Sequence, residues 1–188
     1  EPYRTLRINS PADIVTVAAL FLVAVVTSQL ASAMRTQAQL AAERAARNAT
    51  IAGLARRLIP CTDREAVAMV VVTDLARLFD CHAVFAVGEG PADLLAAQPP
   101  APVLAANDLA ALATTMTEGR RAGRGLQRSG QADWQFHPVL GAGKVHAAIG
   151  LARSDGRPPV AASQRELLGN LLDQAALALE RARLEAEA

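Results

Sequence analysis

The chain has 188 residues, of which 52% are hydrophobic and 20% are charged, and its formal net charge is +1. This composition is typical of a folded or membrane-associated protein and excludes an intrinsically disordered one. The near-zero net charge argues against a nucleic-acid partner, which usually requires a clearly basic surface. The two cysteines, Cys61 and Cys81, are too few for a disulfide framework and match no zinc-site spacing, so no metal site is expected.

The first predicted element is a long helix whose beginning is strongly apolar. Residues 14–34 carry no charge, and as a helix they would extend about 31 Å, close to the ~30 Å hydrocarbon core of a bilayer. The residues that best mark this predicted membrane span are Ile14, Leu20, Leu22, Val26 and Leu30. The alternative is an amphipathic helix of a soluble oligomer, because the second half of the segment also contains Thr27, Ser28, Gln29 and Ser32.

The same helix is predicted to continue to Pro60 as an arginine-rich, water-exposed segment. Five arginines follow the apolar run, against Glu43 as the one acidic residue: Arg35, Arg44, Arg47, Arg56 and Arg57. By the positive-inside rule this side of the membrane is expected to be the cytoplasm, although Arg4 and Arg7 lie on the other flank. A sparse apolar seam indicates weak coiled-coil packing: Leu40, Ile51, Leu54 and Leu58.

Beyond Pro60 the pattern is that of a small globular domain. A capping box of Thr62 and Glu65 predicts a helix over residues 62–79, and the short apolar run 82–87 predicts a strand that the segment "ADLLAA" would join. Asn107 is the expected N-cap of a second helix that ends at Gly119. A loop is expected over residues 119–131.

The last part of the chain predicts a β-hairpin and a final helix. The segments "ADWQFHPVL" and "KVHAAIGLAR" flank Gly141-Ala142-Gly143, a turn signal. Alternation places four residues on one face of the second strand, with His146 on the other: Val145, Ala147, Ile149 and Leu151. A capping box of Ser163 and Glu166 predicts the start of the final helix. The predicted fold class is α+β, with a central antiparallel sheet flanked by helices and preceded by a long N-terminal helix.

This order of segments resembles a GAF domain, and the N-terminal part resembles the last transmembrane helix and linker of Kdp-type potassium-sensor histidine kinases. The resemblance rests on "INSPADIV" (residues 8–15), "VTSQLA" (26–31), "AGRG" (122–125) and "ALALERARL" (176–184). It implies four parts: the end of a transmembrane region over 1–35, a linker helix over 36–60, a GAF-like sensory domain over 61–180, and the start of an exit helix over 181–188. The His-Asp-Leu-Arg phosphoacceptor motif and the ATP-binding segments of that family do not occur in the sequence.

The resemblance therefore implies a non-enzymatic regulatory fragment, with no catalytic residue and no cofactor of its own. ATP would be used by the parent kinase, which would transfer phosphate to a response regulator. The implied setting is the inner membrane of a bacterium, with the GAF domain in the cytoplasm. The implied assembly is a parallel homodimer.

Four residues are candidates for contact with an unidentified small molecule: Arg121, Arg124, Trp134 and His137. Guanidinium groups among glycines suit phosphates or carboxylates, although a solvated loop would show the same composition. Trp134 could form a pocket wall or pack in the core, and His137 could titrate near neutral pH. The alternative function is a GAF receptor for a cyclic nucleotide or another anion, without coupling to a kinase. A thiol-dependent sulfoxide reductase is a further alternative, which would need a reactive Cys61 or Cys81.

Overall fold

The structure is a computed structural model that describes residues 11–90, 93–125 and 131–187, with side chains from Val15 onward. The chain divides into two compact units, residues 1–48 and 49–188.

Helix α1 (Pro11–Leu58) begins in the N-terminal unit and ends in the C-terminal one. It starts with proline, whose fixed φ suits the first helical position, and the following residues include no other proline before Pro60. In the N-terminal unit the side chains of Leu20, Leu22, Val26 and Leu30 are all more than half exposed. The side chain of Ile14 lies outside the described part. Among the described helices, α1 alone is long and apolar enough to cross a membrane.

The polar residues of the apolar segment bond within the helix. The hydroxyl of Thr27 donates to the carbonyl of Val23 at 2.7 Å, and that of Ser32 donates to the carbonyl of Gln29 at 2.8 Å. Such bonds satisfy hydroxyl groups that would otherwise be costly in an apolar environment.

The C-terminal unit contains a five-stranded antiparallel sheet with the strand order β2-β1-β5-β4-β3. Its helices are α2 (Arg64–Phe79), α3 (Ala106–Glu118) and α4 (Arg165–Glu187), the last preceded by a 3-10 turn (Ala162–Gln164). Its strands are β1 (His82–Ala86), β2 (Leu94–Gln98), β3 (Ala122–Gly123), β4 (Gln135–Gly141) and β5 (Lys144–Ala152). The α+β prediction is confirmed.

Helices cover both faces of this sheet. The larger core lies between the sheet, α2, α4 and the last turns of α1, and includes Leu54, Leu75, Phe85, Ile149 and Leu168. The smaller core lies under α3 and includes Val84, Leu112, Trp134 and Phe136. On α4, Leu171 is buried in the larger core, whereas Leu177 and Leu184 are exposed.

Two of the predicted helix starts are wrong by one or two residues. Asp63, not Thr62, caps α2, because its carboxylate accepts from the Ala66 amide at 2.6 Å. At the other end of the domain, Gln164 Oε1 accepts from the Ala161 amide at 3.3 Å. The turn that precedes α4 therefore starts before the predicted box of Ser163 and Glu166.

The predicted hairpin between β4 and β5 is confirmed, but a bulge changes which side chains share a face. Ala142 and Gly143 form the turn with φ values of 49° and 77°, the left-handed conformation that tight hairpins require. The register then shifts: Val139 faces Ala147 but Leu140 faces Val145, so His146 is the extra residue. Val145 consequently lies beside Gly119 at the end of α3, not with Ala147 as predicted.

One edge of the sheet is only partly covered. Strand β3 has two residues and pairs Ala122 with Phe136 and Gly123 with Gln135. The prediction of an uninterrupted loop in this region is therefore wrong. Gly123 has a φ of 105°, and a Cβ there would clash with the carbonyl oxygen of Trp134, so glycine permits this close pairing. Within the described residues, Pro138 and the rest of β4 have no strand partner on that side.

Candidate functional site

The four predicted ligand residues do not form one site. Trp134 is packed in the core under α3, together with Phe136, and it lines a cleft with Arg124. His137 follows Phe136 in the strand and so faces the opposite side of the sheet. Exposed Arg121 lies near enough to His137 to influence its protonation.

The cleft with Arg124 and Trp134 is the best candidate for a binding site. It has a volume of about 410 Å³ and opens at the end of the sheet where β1 begins and β5 ends. Its wall includes His82, Arg124, Trp134, Arg153, Ser154 and the proline-rich residues 99–103. This set is called the Arg124 cleft below. His82, Arg153, Ser154 and the prolines were not predicted as ligand residues, because they come from segments that are distant in the sequence.

The guanidinium of Arg124 is held in place by three hydrogen bonds. Its Nε donates to the carbonyl of Asp133 at 3.1 Å, its Nη1 donates to the carbonyl of Gly156 at 2.7 Å, and its Nη2 donates to the carboxylate of Asp133. The side chain is 28% exposed. Arg124 is therefore not part of a solvated loop, since it connects the β3–β4 and β5–α4 segments.

Arg153 is oriented in a similar way by Asp155. Its Nε and Nη2 each donate to that carboxylate at 3.2 Å. The hydrogen bond from Arg153, together with one from the backbone amide of Arg157, lowers the pKa of Asp155, and Asp155 in turn raises the pKa of Arg153. Both groups are therefore charged at neutral pH.

A buried carboxylate of α3 fixes the segment that carries Trp134. Asp108 is 1% exposed. Its Oδ1 accepts from the amides of Asp133 at 2.8 Å and Trp134 at 3.0 Å, and its Oδ2 accepts from the amide of Ala105 at 2.9 Å. The prediction that Asn107 caps this helix is wrong, since the helix begins at Ala106. An aspartate at the third helical position was the available signal for Asp108.

Burial makes His137 unsuited to titration near neutral pH. Its side chain is 8% exposed, and its Nε2 lies 3.3 Å from Oε1 of Gln135. Burial, with a smaller contribution from the positive charge of Arg121, lowers the pKa of His137 to about 4. The residue is therefore neutral at pH 7, contrary to the prediction.

The cysteines are not activated thiols. Burial raises the pKa of Cys81 to about 11 and also raises that of Cys61, although the charge of Arg181 partly opposes the second effect. Thiol chemistry depends on the thiolate, so these environments disfavour the reductase alternative. In the part of the chain that the structure describes, no three His, Cys, Asp or Glu side chains are grouped for metal binding.

A second candidate feature is the junction between the end of α1 and α4. Arg181 of α4 donates through Nη2 to the carbonyls of Leu58 at 2.6 Å and Cys61 at 2.9 Å. Arg57 of α1 forms an ion pair with Asp74 of α2 at 2.5 Å. The sequence did not indicate either contact, because each pairs residues from separate helices.

Comparisons with known proteins found a match for the N-terminal part of the chain and another for its C-terminal unit. Residues 1–44 match a family model described as "Domain of unknown function (DUF4118)". No curated protein matches the chain. The GAF domain of the potassium sensor histidine kinase KdpD from Escherichia coli is similar in structure, with a TM-score of 0.60 and 18% identity. That match covers 73% of this chain and 96% of the other.

The C-terminal unit has a GAF-like fold. A fragment of a methyl-accepting chemotaxis protein has a TM-score of 0.54 and 13% identity, covering 70% of this chain and 97% of its own. The GAF domain of an Acinetobacter phosphoenolpyruvate-protein phosphotransferase has a TM-score of 0.56 and 9% identity. That match covers 72% of this chain and 93% of the other. DUF4118 occurs in KdpD-like sensor kinases, so the resemblance to that family is confirmed for the N-terminal part. These similar structures belong to different kinds of protein, and their low identities establish the fold alone.

Proposed function

We propose that the chain is the regulatory part of a sensor histidine kinase of the Kdp potassium- and turgor-sensing type. It relays a signal from membrane helices through the GAF-like domain to a C-terminal kinase. The chain itself catalyses nothing in this proposal. ATP and the response regulator are the substrates of the parent kinase.

The observation that carries this proposal is the contact between Arg181 and the end of α1. The C-terminus of a helix has a partial negative charge and unpaired carbonyl groups, which a guanidinium neutralises and binds. Arg181 thereby makes the helix that leaves the domain respond to any displacement of the helix that enters it. Leu54 and Leu58 are buried in the same core as Leu168 and Leu171 of α4, which reinforces the coupling.

The proposal places the apolar part of α1 in the inner membrane of a bacterium and the GAF-like domain in the cytoplasm. The arginines that follow the apolar segment support this orientation. The proposed assembly is a parallel homodimer. Leu177 and Leu184 support it, because they are seven residues apart on α4 and are 66% and 55% exposed.

The test is Arg181→Ala in the full-length protein, reconstituted in membrane vesicles. We expect basal autophosphorylation to persist and its response to potassium or osmolarity to be lost, because α1 and α4 are no longer joined by the guanidinium. Each lost charged hydrogen bond should also cost about 1.5–3 kcal/mol of stability at most, less here because the side chain is 37% exposed. Phosphate incorporation from labelled ATP is the measurement.

Arg165→Ala is the matched control, since Arg165 is an exposed arginine at the start of the same helix. A full potassium response in the Arg181 variant contradicts the relay. Absence of autophosphorylation in the unaltered protein contradicts the assignment to a kinase.

The second candidate function is a receptor for a small molecule that is not coupled to a kinase. The Arg124 cleft favours it, because two oriented arginines line a volume of ligand size. Native mass spectrometry of the gently purified protein distinguishes this function by a stoichiometric retained ligand.

A further inference from the structure

We propose that the Arg124 cleft binds a small organic anion, in which a phosphate or carboxylate group is attached to an apolar or aromatic body. This inference rests on the receptor function and is independent of the kinase relay. It gives the receptor a location, a ligand class and a set of contact residues. Arg153 and His82 are among these residues, and neither was a sequence-based candidate.

The anion-binding part of the cleft consists of two guanidinium groups that are already oriented. Each guanidinium has five N–H groups. Arg124 uses three of its nitrogens on Asp133 and Gly156, and Arg153 uses two on Asp155. The remaining N–H groups have no hydrogen-bond partner within the described residues and are available to an oxyanion.

Because both arginine side chains are already oriented, binding a ligand costs less conformational entropy. A free arginine side chain must lose rotamer freedom when it captures a ligand, whereas Arg124 and Arg153 have already lost it. Asp133 and Asp155 balance the charges of Arg124 and Arg153, and Asp133 is the one of these two aspartates that lines the cleft. The remaining guanidinium N–H groups can only donate, so they favour an anion over a cation.

The second part of the cleft suits an apolar body. Exposed His82 lies against Trp134, with ring centroids 6.5 Å apart and planes inclined by 45°. The proline-rich residues 99–102 form another part of the wall. A ligand with its oxyanion on the arginines would place its body between these surfaces, which inorganic phosphate could not fill.

Trp134 supplies the measurement, because it is the only tryptophan in the chain. The experiment titrates the purified 188-residue protein in detergent and follows tryptophan emission. The four probes are phenyl phosphate, benzoate, inorganic phosphate and the uncharged benzyl alcohol. We expect saturable changes with phenyl phosphate or benzoate at lower concentrations than with inorganic phosphate, and none with benzyl alcohol.

The variant Arg153→Gln should weaken binding of the preferred probe by about tenfold or more, because it removes a charged donor. Arg165→Gln, the control, should leave binding unchanged. Arg124→Gln is a second variant, and near-ultraviolet circular dichroism verifies that its Trp134 environment is retained. The comparison of phenyl phosphate with benzoate decides which oxyanion the site prefers.

Three results would overturn the proposal. The first is that no probe gives a saturable change in tryptophan emission up to about 10 mM, since a weaker affinity would not indicate a binding site. The second is that benzyl alcohol changes the emission as much as the anionic probes do. The third is that the Arg153→Gln variant binds the preferred probe with unaltered affinity. None of them bears on the potassium response of the Arg181 variant, so the relay and the anion site fail separately.

Discussion

At the scale of single residues, His137 makes the stability of the domain dependent on pH. Burial lowers its pKa from 6.5 to about 4. Between these two values the unfolded chain binds a proton that the folded chain excludes. Above pH 6.5 His137 is neutral in both the folded and the unfolded chain, so it does not change the free energy of unfolding. Below pH 4 His137 is protonated in both states, so the loss of stability no longer increases. Protonation of His137 in the unfolded chain therefore destabilises the fold as the pH falls from 6.5 to 4.

We predict that this residue lowers the free energy of unfolding by about 2 kcal/mol between pH 7 and pH 5. The variant His137→Gln should lose that part of the pH dependence, because glutamine does not titrate. Urea denaturation at the two pH values measures the difference. His82→Gln is the control, since His82 is exposed. Equal pH dependence in the unaltered protein and the His137 variant contradicts the prediction.

At the scale of elements, the position of α3 depends on Asp108. The variant Asp108→Ala leaves the amides of Ala105, Asp133 and Trp134 without their acceptor. We expect the free energy of unfolding to fall by about 2–4 kcal/mol, since buried unsatisfied donors cost about 1–3 kcal/mol each. Urea denaturation measures the loss, and a red shift of native tryptophan emission would report water reaching Trp134.

Asp173→Ala is the matched control for that variant, because Asp173 is exposed on α4. It should change stability by no more than about 0.5 kcal/mol. If the two variants have the same free energy of unfolding, Asp108 does not hold α3 on the segment before β4.

The helices and strands also show which features sequence patterns can predict. Apolar periodicity located α2, β1 and the β4–β5 hairpin correctly, because burial on one face determines that periodicity. The exact helix starts were wrong, since neighbouring polar residues compete for the cap and only the path of the incoming chain decides between Thr62 and Asp63. The predicted position of Val145 was wrong, because a bulge of one residue moves the side chains beyond it to the opposite face of the sheet.

The candidate site was predictable only in part for a related reason. Arg124 and Trp134 were identified by their residue types, but their partners come from distant segments. Arg153 reaches the cleft from the end of β5 and His82 from the start of β1, a proximity that only strand pairing creates. Arg121 and His137 are close to the others in sequence, yet strand alternation places His137 on the other face of the sheet.

At the scale of the whole molecule, the two units should differ in their need for a membrane. We predict that residues 49–188 alone remain folded and in the aqueous phase, because this segment retains Leu54, Leu58 and every other residue of the larger core. The 188-residue chain should sediment with membranes. Ultracentrifugation of expressed protein, with tryptophan emission as the test of folding, measures both properties.

A shorter chain that starts at residue 60 is the control for this truncation. It lacks Leu54 and Leu58, which are 1% and 3% exposed, and loss of a buried leucine side chain costs about 2–5 kcal/mol. It should therefore be less stable than residues 49–188. If residues 49–188 sediment with membranes, the apolar segment is not the reason for membrane association.

The short β3 strand has a consequence for the solubility of the domain. Because β3 pairs with only two residues of β4, the backbone beyond Phe136 has no strand partner on that side among the described residues, and a foreign strand could add there. Pro138 lies on that edge and has no N–H group to donate to an incoming strand. A proline at such a place is a common protection against intermolecular strand pairing. The domain can therefore keep a nearly bare sheet margin without that margin becoming a template for aggregation.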